Sequence, residues 1–600
     1  MINFLIKKEN NAFQIEPKFI DYDPKSPVKL RHSYFKLNGW GFKDTKFVLE
    51  NKVVSITGER YSFSGKKMSK YFPFAENECK ISMSKPIAVP QTKMIVDSLI
   101  INEPFIKEIG NSFSRCSFTD EERQIHSHGH TLEEVFALKY GKFKRFVDCV
   151  IYPSKTEHVI DIVKAATKNN VVIIPYGGGT SVTQALAVPE NEKRMVVSVD
   201  MARMNHIKWV DKENNLVCAE AGIVGIDLEN ELEKQGVCTG HEPDSIEFST
   251  LGGWIATRCS GMKKNCYGNI EDMLVNVKIV TPQGIFEKKN NWPRVSNGPD
   301  PIQIILGSEG ILGIITEAIV RIRPVPETKE YNSILFPNFL EGSKFMKEVS
   351  LSMINPASCR LIDNLQFRFG YTLNPDDDSI KKKVISFMKN MYVTKIKGFN
   401  PYEMSVAILV FEGPKSIVNS QKKRIFEIAS KYGGLEAGAE NGIRGYFLTF
   451  MIAYIRDFMM EHHFIAESFE TSVPWSKVYE LCEKAKAAIL NKCKMLGVQG
   501  KPFCTFRITL TYETGATVYC YFGFTYEGLS DPVAAYSEIE EEARKVVMEC
   551  GGSLSHHHGI GKLRKKFMPL VYEPVGMNMI KAIKNQIDPQ NIFGNENLIN

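Results

Sequence analysis

Three consecutive histidines, His556, His557 and His558, stand between glycines in the stretch GGSLSHHHGIGKLRKKF. Imidazoles titrate near neutral pH, so such a cluster suits metal binding or proton transfer, and a solvated surface turn is a third interpretation. In extended backbone, His556 and His558 would point one way and His557 the other. No H-E-x-x-H spacing accompanies them. The pattern disfavours a metal site and leaves a solvated turn or a proton-transfer group open.

Two further residues have types that suit chemistry on an anionic or acidic substrate. Tyr519, in ATVYCYFGF, falls on a predicted strand with Tyr521 on the same face, although both could be core aromatics. Arg456 ends the apolar run FLTFMIAYIR, which is predicted as a helix that lines a chain tunnel or belongs to the core. Its guanidinium could pair with Asp457 or bind substrate.

The elements that would position these residues begin near Asp148. DCVIYP is predicted as a strand, SKTEHVIDIVKAATKNN as an amphipathic helix with Ser154 as its N-cap, and VVIIP as a buried strand. Strand, helix and strand followed by glycines is typical of a βαβ unit that ends in a ligand-binding loop.

Three glycine-rich loops follow: PYGGGTSVTQAL, PDSIEFSTLGGWIATRCSGMKKNCYG and GSEGILGIITEA. Glycines after a strand leave backbone N–H groups free to converge on an anion. None of the three matches G-x-G-x-x-G or a P-loop. Together they predict a long, flat, phosphate-bearing cofactor lined by backbone.

These loops resemble the FAD-binding domain of the vanillyl-alcohol-oxidase-type flavoproteins. The stretches RLIDNLQFRFG, GYFLTFMIAYIRDF, ESFETSVPW and GGSLSHHHGIGKLRKKF extend the resemblance to an ether-lipid-forming branch of that family. The resemblance implies an α+β fold: a two-subdomain FAD-binding domain, an α+β cap domain for substrate and a mixed N-terminal region. The implied division is a mostly helical region at 1–140, an FAD-binding domain at 141–326, a cap at 327–550, and a segment at 551–600 that returns to the active site.

The resemblance also implies which residues contact FAD. Because Tyr176 stands beside the glycines, where many relatives use His or Cys to attach the flavin, we expect noncovalent FAD. The implied FAD-binding residues are Pro175, Tyr176, Gly177, Gly178, Gly179, Thr180, Ser181, Asp244, Ser245, Ile246, Glu247, Phe248, Ser249, Thr250, Thr257, Arg258, Cys259, Ser260, Glu309, Gly310, Ile311, Leu312, Gly313, Ile314 and Ile315.

The reaction implied by the resemblance exchanges the acyl chain of acyl-dihydroxyacetone phosphate for a long-chain fatty alcohol. Flavin N5 would hold the substrate carbon during the exchange, with no net redox. The same resemblance gives Tyr519 the proton-transfer role and makes His557 the favoured base among the three histidines. It makes Arg456 a substrate ligand and ties activity to Arg360, for which a structural role is equally open, and to residues 595–599.

The charge and the cysteine content of the chain restrict its partners and its compartment. The net charge of +6 is scattered, which argues against a nucleic-acid partner, and 13 cysteines without a C-x-x-C pair suit a reducing compartment. Neither terminus resembles a signal peptide or an S-K-L address. Peroxisomal location, peripheral membrane association, a role in plasmalogen synthesis and a homodimer are therefore implied by resemblance alone.

The alternative functions are an FAD-dependent 2-hydroxy-acid dehydrogenase on the same fold, a zinc hydrolase and a catalytically silent lipid-binding protein. The basic residues Lys562, Arg564 and Lys565 suit either a solvated face or a phosphate-steering patch.

Overall fold

The computed structural model describes residues 6–9, 12–15, 19–21, 31–376 and 379–599. The strands are, in chain order, β1 (Ile6–Glu9), β2 (Ala12–Ile15), β3 (Phe19–Asp21), β4 (Phe47–Glu50), β5 (Val53–Ile56), β6 (Lys67–Met68), β7 (Arg115–Ser117), β8 (Cys149–Tyr152), β9 (Val172–Tyr176), β10 (Val196–Asp200), β11 (Ile207–Asp211), β12 (Leu216–Glu220), β13 (Val237–Cys238), β14 (Leu274–Thr281), β15 (Gly284–Phe286), β16 (Ile314–Arg321), β17 (Arg323–Pro324), β18 (Thr328–Phe336), β19 (Ser358–Ile362), β20 (Ser405–Gly413), β21 (Leu435–Glu436), β22 (Phe464–Pro474), β23 (Phe503–Thr511) and β24 (Gly515–Thr525).

The helices pack on and between these strands. They are α1 (Tyr71–Glu78), α2 (Glu103–Ile109), α3 (Asp120–Ile125), α4 (Leu132–Tyr140), α5 (Thr156–Asn169), α6 (Gly225–Glu233), α7 (Leu251–Thr257), α8 (Lys264–Tyr267), α9 (Ile270–Met273), α10 (Ile302–Ile305), α11 (Phe339–Leu351), α12 (Asn364–Thr372), α13 (Ile380–Met391), α14 (Lys415–Lys431), α15 (Ala439–Phe447), α16 (Ile452–Glu461), α17 (Val478–Met495), α18 (Pro532–Glu549) and α19 (Pro574–Ile587). Among the described helices, none is long and apolar enough to cross a membrane.

The predicted βαβ unit is confirmed. Strands β8 and β9 lie on either side of β10 and run parallel to it, with α5 connecting them. The predicted N-cap is wrong, since α5 is preceded by Lys155 without a side-chain capping bond. The glycine loop follows the carboxyl end of β9, at the edge of a parallel sheet where ligands commonly bind.

A second five-stranded sheet, in the order β11-β12-β16-β14-β15, is antiparallel throughout. Helix α7 packs on it, and the core between them contains Trp254 and Leu251. The second glycine loop precedes α7 and the third precedes β16. This sheet therefore brings the second and third loops toward the first.

The third large sheet has seven strands in the order β21-β18-β20-β19-β23-β24-β22. Helices α11, α14, α17 and α18 cover one side and form the largest hydrophobic core with it. Strands β22 and β24 are the longest, and β22 forms the edge. Tyr519 lies on β24, so this sheet carries the candidate catalytic residue.

The apolar run from Phe447 to Ile455 is not the single helix that was predicted. Helix α15 ends at Phe447, a 3-10 turn spans Leu448–Met451, and α16 then begins at Ile452. The N-terminal region contains α1 to α4 together with β1 to β7 among its described residues. The expected divisions fall after α4, between β17 and β18, and at the end of α18, and the domain assignments stay a prediction.

Candidate active site

One cavity of about 410 Å³ brings the three glycine loops together with His557, His558 and Tyr519, whereas His556 lies outside its lining. The residues of the FAD prediction that line it are Pro175, Tyr176, Gly177, Gly178, Gly179, Thr180, Ser181, Asp244, Ser245, Glu247, Phe248, Ser249, Thr250, Thr257, Cys259, Glu309, Gly310, Gly313, Ile314 and Ile315. The others lie outside the lining. Ile246, Ile311 and Leu312 are core residues, Arg258 faces Glu271 at 3.7 Å, and Ser260 donates to Asn269.

The first two loops touch so closely that glycine is required between them. A Cβ on Gly178 would lie 2.0 Å from the Phe248 carbonyl oxygen, and one on Gly177 would lie 2.5 Å from Thr250 Oγ1. Backbone without side chains therefore forms this wall of the cavity, after a parallel strand. The arrangement fits the diphosphate of FAD, which binds backbone N–H groups at such positions.

The variant Gly178→Ala is expected to weaken FAD binding by roughly 5- to 150-fold, because overpacking at a rigid contact typically costs roughly 1–3 kcal/mol. The measurement is fluorescence titration of the apoprotein with FAD. Gly370→Ala is the matched control, since its Cβ on α12 would meet its nearest atom at 3.5 Å. An FAD affinity within about twofold of wild type for Gly178→Ala would contradict the tight contact.

The third loop is tied to the C-terminal segment through Glu309. Its carboxylate accepts from the backbone N–H groups of Ile560 and Gly561, both at 2.6 Å. Its carbonyl oxygen accepts from the amides of Asn595 and Asn597. Glu309 also has φ +48°, an uncommon conformation for a residue with a side chain. The segment at 595–599 therefore contacts the cavity wall through Glu309.

The basic residues after the histidines form, as a group, neither the solvated face nor the phosphate-steering patch that was predicted. Lys562 is largely buried and donates to the Gln184 carbonyl oxygen and to Asn597. Arg564 is fully buried and donates to the Gly559 carbonyl oxygen at 2.7 Å. Lys565 alone pairs with a surface carboxylate, that of Glu596. Lys562 and Arg564 thus hold the glycine-rich turn in place.

The histidine segment is bent, and the prediction of alternate facing is wrong. The backbone N–H groups of His556, His557 and His558 all donate to the carboxylate of Glu470, at 2.5, 3.3 and 2.9 Å. The Ser555 hydroxyl donates to it as well, at 2.8 Å. Three successive N–H groups that converge on one anion form a nest, which requires a turn of the backbone rather than a strand.

Glu470 is fully buried on the edge strand β22, directly opposite Tyr519 on β24. Burial alone would raise the pKa of Glu470, but the Arg564 guanidinium, and a proton on any of the three histidines, lower it, and the pKa stays well below its usual range. Glu470 was not among the site residues predicted from the sequence. The one pattern that could have indicated it is an acidic residue within the predicted strand ESFETSV.

A chain of side-chain hydrogen bonds passes through the histidines. Tyr519 Oη and His557 Nε2 are 2.6 Å apart, whereas His558 Nε2 lies 3.5 Å from the same hydroxyl. His557 Nδ1 lies 3.0 Å from His556 Nδ1, and His556 Nε2 lies 2.6 Å from Tyr512 Oη. No group of His, Cys, Asp and Glu arranged to hold a metal ion occurs in the described part of the chain. The geometry suits proton transfer from Tyr519 to His557.

Partial burial favours the neutral form of all three imidazoles. It lowers the pKa of His556 to about 3, and it lowers the pKa values of His557 and His558 as well. A neutral imidazole both donates and accepts a hydrogen bond, which a protonated one does not.

These shifts predict acid sensitivity. Unfolded His556 takes up a proton below its ordinary pKa of about 6.5 while the folded form stays neutral to about 3, so acid favours unfolding across that window. We expect wild type to lose stability relative to His556→Gln as the pH falls from about 6.5 to about 4, with a constant difference above that range. Urea unfolding midpoints at several pH values measure this. A difference that does not change with pH would contradict buried, neutral His556.

Arg507 on β23, which was not predicted from the sequence, contacts two tyrosines that line the cavity. Its guanidinium lies 4.6 Å from the ring centre of Tyr519 and 4.9 Å from that of Tyr521, and it pairs with Asp244 at 3.4 Å. The Tyr519–Tyr521 pair shares one face, as predicted, with ring centres 6.0 Å apart. Arg507 therefore positions the Tyr519 ring and contributes positive charge beside it.

Two histidines from other segments lie at or near the site. His130 lines the cavity and donates its backbone N–H to the Ser181 carbonyl oxygen at 2.6 Å. His241 is buried against Trp254, and burial lowers its pKa to about 3. Neither histidine stands in a recognisable catalytic motif. A lone histidine in a sequence is most often a core residue, so neither was predicted as a site residue.

The two predicted arginines occupy different places. Arg456 lines the cavity, where it pairs with Glu467 at 2.7 Å and Asp457 at 3.1 Å and donates to the His130 carbonyl oxygen. Arg360 is buried on β19 and donates to Thr449 of the cavity wall, at 3.1 Å.

The end of the cavity away from the glycine loops is apolar. Side chains from α1, α12, α16, β22 and β23 and from the segment after α1 line it, among them Phe74, Ile81, Phe369, Ile455, Met459, Phe464 and Phe503. An apolar arm that opens from a polar site suits an aliphatic chain.

Comparison with known proteins agrees with this architecture. Residues 147–288 match the family described as "FAD binding domain", and residues 325–598 match "FAD linked oxidases, C-terminal domain". The chain is 45% identical to an alkyldihydroxyacetonephosphate synthase of Caenorhabditis elegans, covering 96% of each chain, and 32% identical to one of Dictyostelium discoideum, covering 96% of this chain and 95% of the relative. A solved structure of an alkyldihydroxyacetonephosphate synthase superposes with TM-score 0.80 at 30% identity, over 94% of this chain and 98% of the other. The predicted α+β fold and FAD cofactor are confirmed, and the chain belongs to the alkyldihydroxyacetonephosphate synthase family of FAD-binding proteins.

Proposed function

We propose that this enzyme exchanges the acyl chain of acyl-dihydroxyacetone phosphate for a long-chain fatty alcohol and releases a fatty acid. The observation that supports this most is the joining of three features in one cavity. These are the FAD-type glycine loops, the Tyr519–His557 hydrogen bond and an apolar arm of aliphatic and aromatic side chains.

Each part of the site has a task in this reaction. Bound FAD, held without a covalent bond by the glycine loops, supplies a nucleophilic ring nitrogen for an exchange that involves no net redox. Tyr519 accepts the proton beside the substrate ketone as its own proton moves to His557 Nε2. Arg456 provides a cation for the substrate phosphate, and the apolar arm binds the chains and excludes water. Arg360 supports this wall through Thr449.

A 2-hydroxy-acid dehydrogenase is not favoured, because the relatives at 45% and 32% identity are both named as the synthase. The test is anaerobic spectroscopy of the FAD-loaded protein. With palmitoyl-dihydroxyacetone phosphate and hexadecanol we expect an ether product while the flavin stays oxidised over many turnovers. Bleaching of the flavin by lactate or glycolate, without ether formation, would identify the dehydrogenase instead.

The lipid substrates also support a peripheral contact with a membrane. Helix α13 and the turn after it expose several apolar side chains, including Phe387, Met388 and Ile396. We extend the proposal to a homodimer located in peroxisomes and acting in plasmalogen synthesis, which the family resemblance supports. Cosedimentation with phosphatidylcholine vesicles, light scattering and fluorescence colocalisation test the three points separately.

A further inference from the structure

The hydrogen bonds of the site continue beyond the residues that face the cavity. Tyr519 lines the cavity, whereas Tyr512, at the turn between β23 and β24, is only partly buried. His557 and His556 connect the two hydroxyls, through contacts of 2.6, 3.0 and 2.6 Å. A continuous path of four titratable side chains therefore links the cavity to a partly exposed tyrosine.

The donors and acceptors along this path have one consistent order. A neutral imidazole has one N–H and one free nitrogen lone pair. With Tyr519 donating to His557 Nε2, His557 must donate from Nδ1 to His556 Nδ1, and His556 then donates from Nε2 to Tyr512 Oη. Burial keeps both imidazoles neutral, as this order requires.

We propose that Tyr519, His557, His556 and Tyr512 form a proton relay between the cavity and solvent. The proposal rests on the proposed function, in which the carbon beside the ketone loses a proton before the exchange and regains one after it. As Tyr519 Oη takes the substrate proton, its own proton moves to His557 Nε2. The Nδ1 proton of His557 then moves to His556, the Nε2 proton of His556 moves to Tyr512, and the Tyr512 hydroxyl proton moves to water.

Each step breaks one O–H or N–H bond and forms another, so the substrate loses one proton and water gains one. After the outward transfer, each of the four groups donates its hydrogen bond in the opposite direction along the path. The inward transfer of a proton at the end of the reaction restores the original directions. His556 and Tyr512 act only through His557 and Tyr519, so they are positioning residues for the proton and do not contact the reacting carbon.

The surroundings of Tyr512 suit the solvent end of such a path. Lys264 Nζ lies 3.7 Å from the Tyr512 ring centre and donates to the Thr511 carbonyl oxygen. Asn269 and Ser260 face the Tyr512 hydroxyl, with the carboxylates of Glu271 and Asp272 nearby. Burial raises the pKa of Tyr512 to about 12, so its hydroxyl is protonated between transfers, and Asn269 and Ser260 can orient it by hydrogen bonds.

The test is steady-state exchange of labelled hexadecanol by the FAD-loaded wild type, Tyr512→Phe and His556→Gln, in H2O and D2O and at rising concentrations of a small imidazole buffer. Tyr512→Phe keeps the ring beside Lys264 and removes only the hydroxyl. Tyr432→Phe, which removes a hydroxyl that donates to Glu348 on the cap surface, is the control.

For Tyr512→Phe and His556→Gln we expect kcat to fall at least about tenfold with KM and FAD affinity unchanged. We also expect a larger solvent isotope effect and a rate that rises with buffer concentration. Active wild type with Tyr512→Phe within twofold of it, and without buffer dependence, would overturn the relay alone. An inactive wild type would overturn the proposed function and the relay with it.

Discussion

Replacing Tyr519 by phenylalanine is expected to lower the turnover of ether formation by about 10³-fold, within the 10²–10⁴-fold that positioned acid–base groups usually contribute. The hydroxyl is buried beside the cavity, and its hydrogen bond to His557 Nε2 is 2.6 Å long. Burial raises the pKa of Tyr519, and Arg507 beside the ring opposes that effect. A proton can therefore pass through this oxygen without leaving a stable charge on it.

The measurement for Tyr519→Phe is product formation under saturating substrates, with FAD content and thermal unfolding recorded in parallel. FAD affinity and unfolding temperature are expected to match wild type, because the ring stays in place. Tyr526→Phe removes a hydroxyl just beyond the same strand, where it donates to the Met460 carbonyl oxygen, and should retain full activity. More than a tenth of wild-type turnover in Tyr519→Phe would refute its proton-transfer role.

Replacing Glu470 by alanine is expected to damage both stability and activity. Four hydrogen bonds from the histidine segment end on this buried carboxylate. Since a hydrogen bond to a charged group contributes roughly 1.5–3 kcal/mol and entering water compensates part of the loss, we expect unfolding to become easier by about 3–5 kcal/mol. Turnover should fall at least about 100-fold because His557 loses its position.

Urea unfolding and the exchange assay measure the two effects of Glu470→Ala. Glu480→Gln is the control, since Glu480 is an exposed residue on α17 paired with Lys477 and Lys484. Glu470→Gln serves if the alanine variant does not fold, because it preserves volume and one acceptor oxygen. Unchanged stability and turnover in both variants would show that the nest does not hold the histidines.

The elements with local sequence signals could be predicted. The β8–α5–β9 unit follows from hydrophobic periodicity within a short stretch, and the glycine loops follow from runs that only a close backbone contact explains. Their convergence on one cofactor was predicted from the three loops together, and the family resemblance identified that cofactor as FAD. The contact between Gly178 and Phe248 is long-range and leaves no separate pattern in either loop.

The conformation of the histidines could not be predicted in the same way. It depends on Glu470, which lies 86 residues before His556 in the chain. Strand alternation described the segment as if it were isolated, whereas a buried charge on the neighbouring edge strand bends it. Arg507 was missed for a related reason, since its contacts with Tyr519 and Asp244 form only when β23 pairs with β24.

The helix predicted before Arg456 is interrupted by a polar contact that the apolar composition of the run does not reveal. Leu448 to Met451 adopt a 3-10 turn, and Thr449 within it accepts from buried Arg360. An apolar run that looks continuous in sequence is therefore divided where one of its side chains accepts a hydrogen bond from a buried arginine of the seven-stranded sheet.

The most direct measurement is incorporation of radiolabelled hexadecanol into ether-linked dihydroxyacetone phosphate by the FAD-loaded protein, compared with the apoprotein and with Tyr519→Phe. The FAD-loaded wild type should form labelled ether from palmitoyl-dihydroxyacetone phosphate with release of one palmitate per ether, and both comparison proteins should form almost none. Absence of labelled ether from the FAD-loaded wild type, or equal formation by the apoprotein, would contradict a flavin-dependent exchange in this cavity.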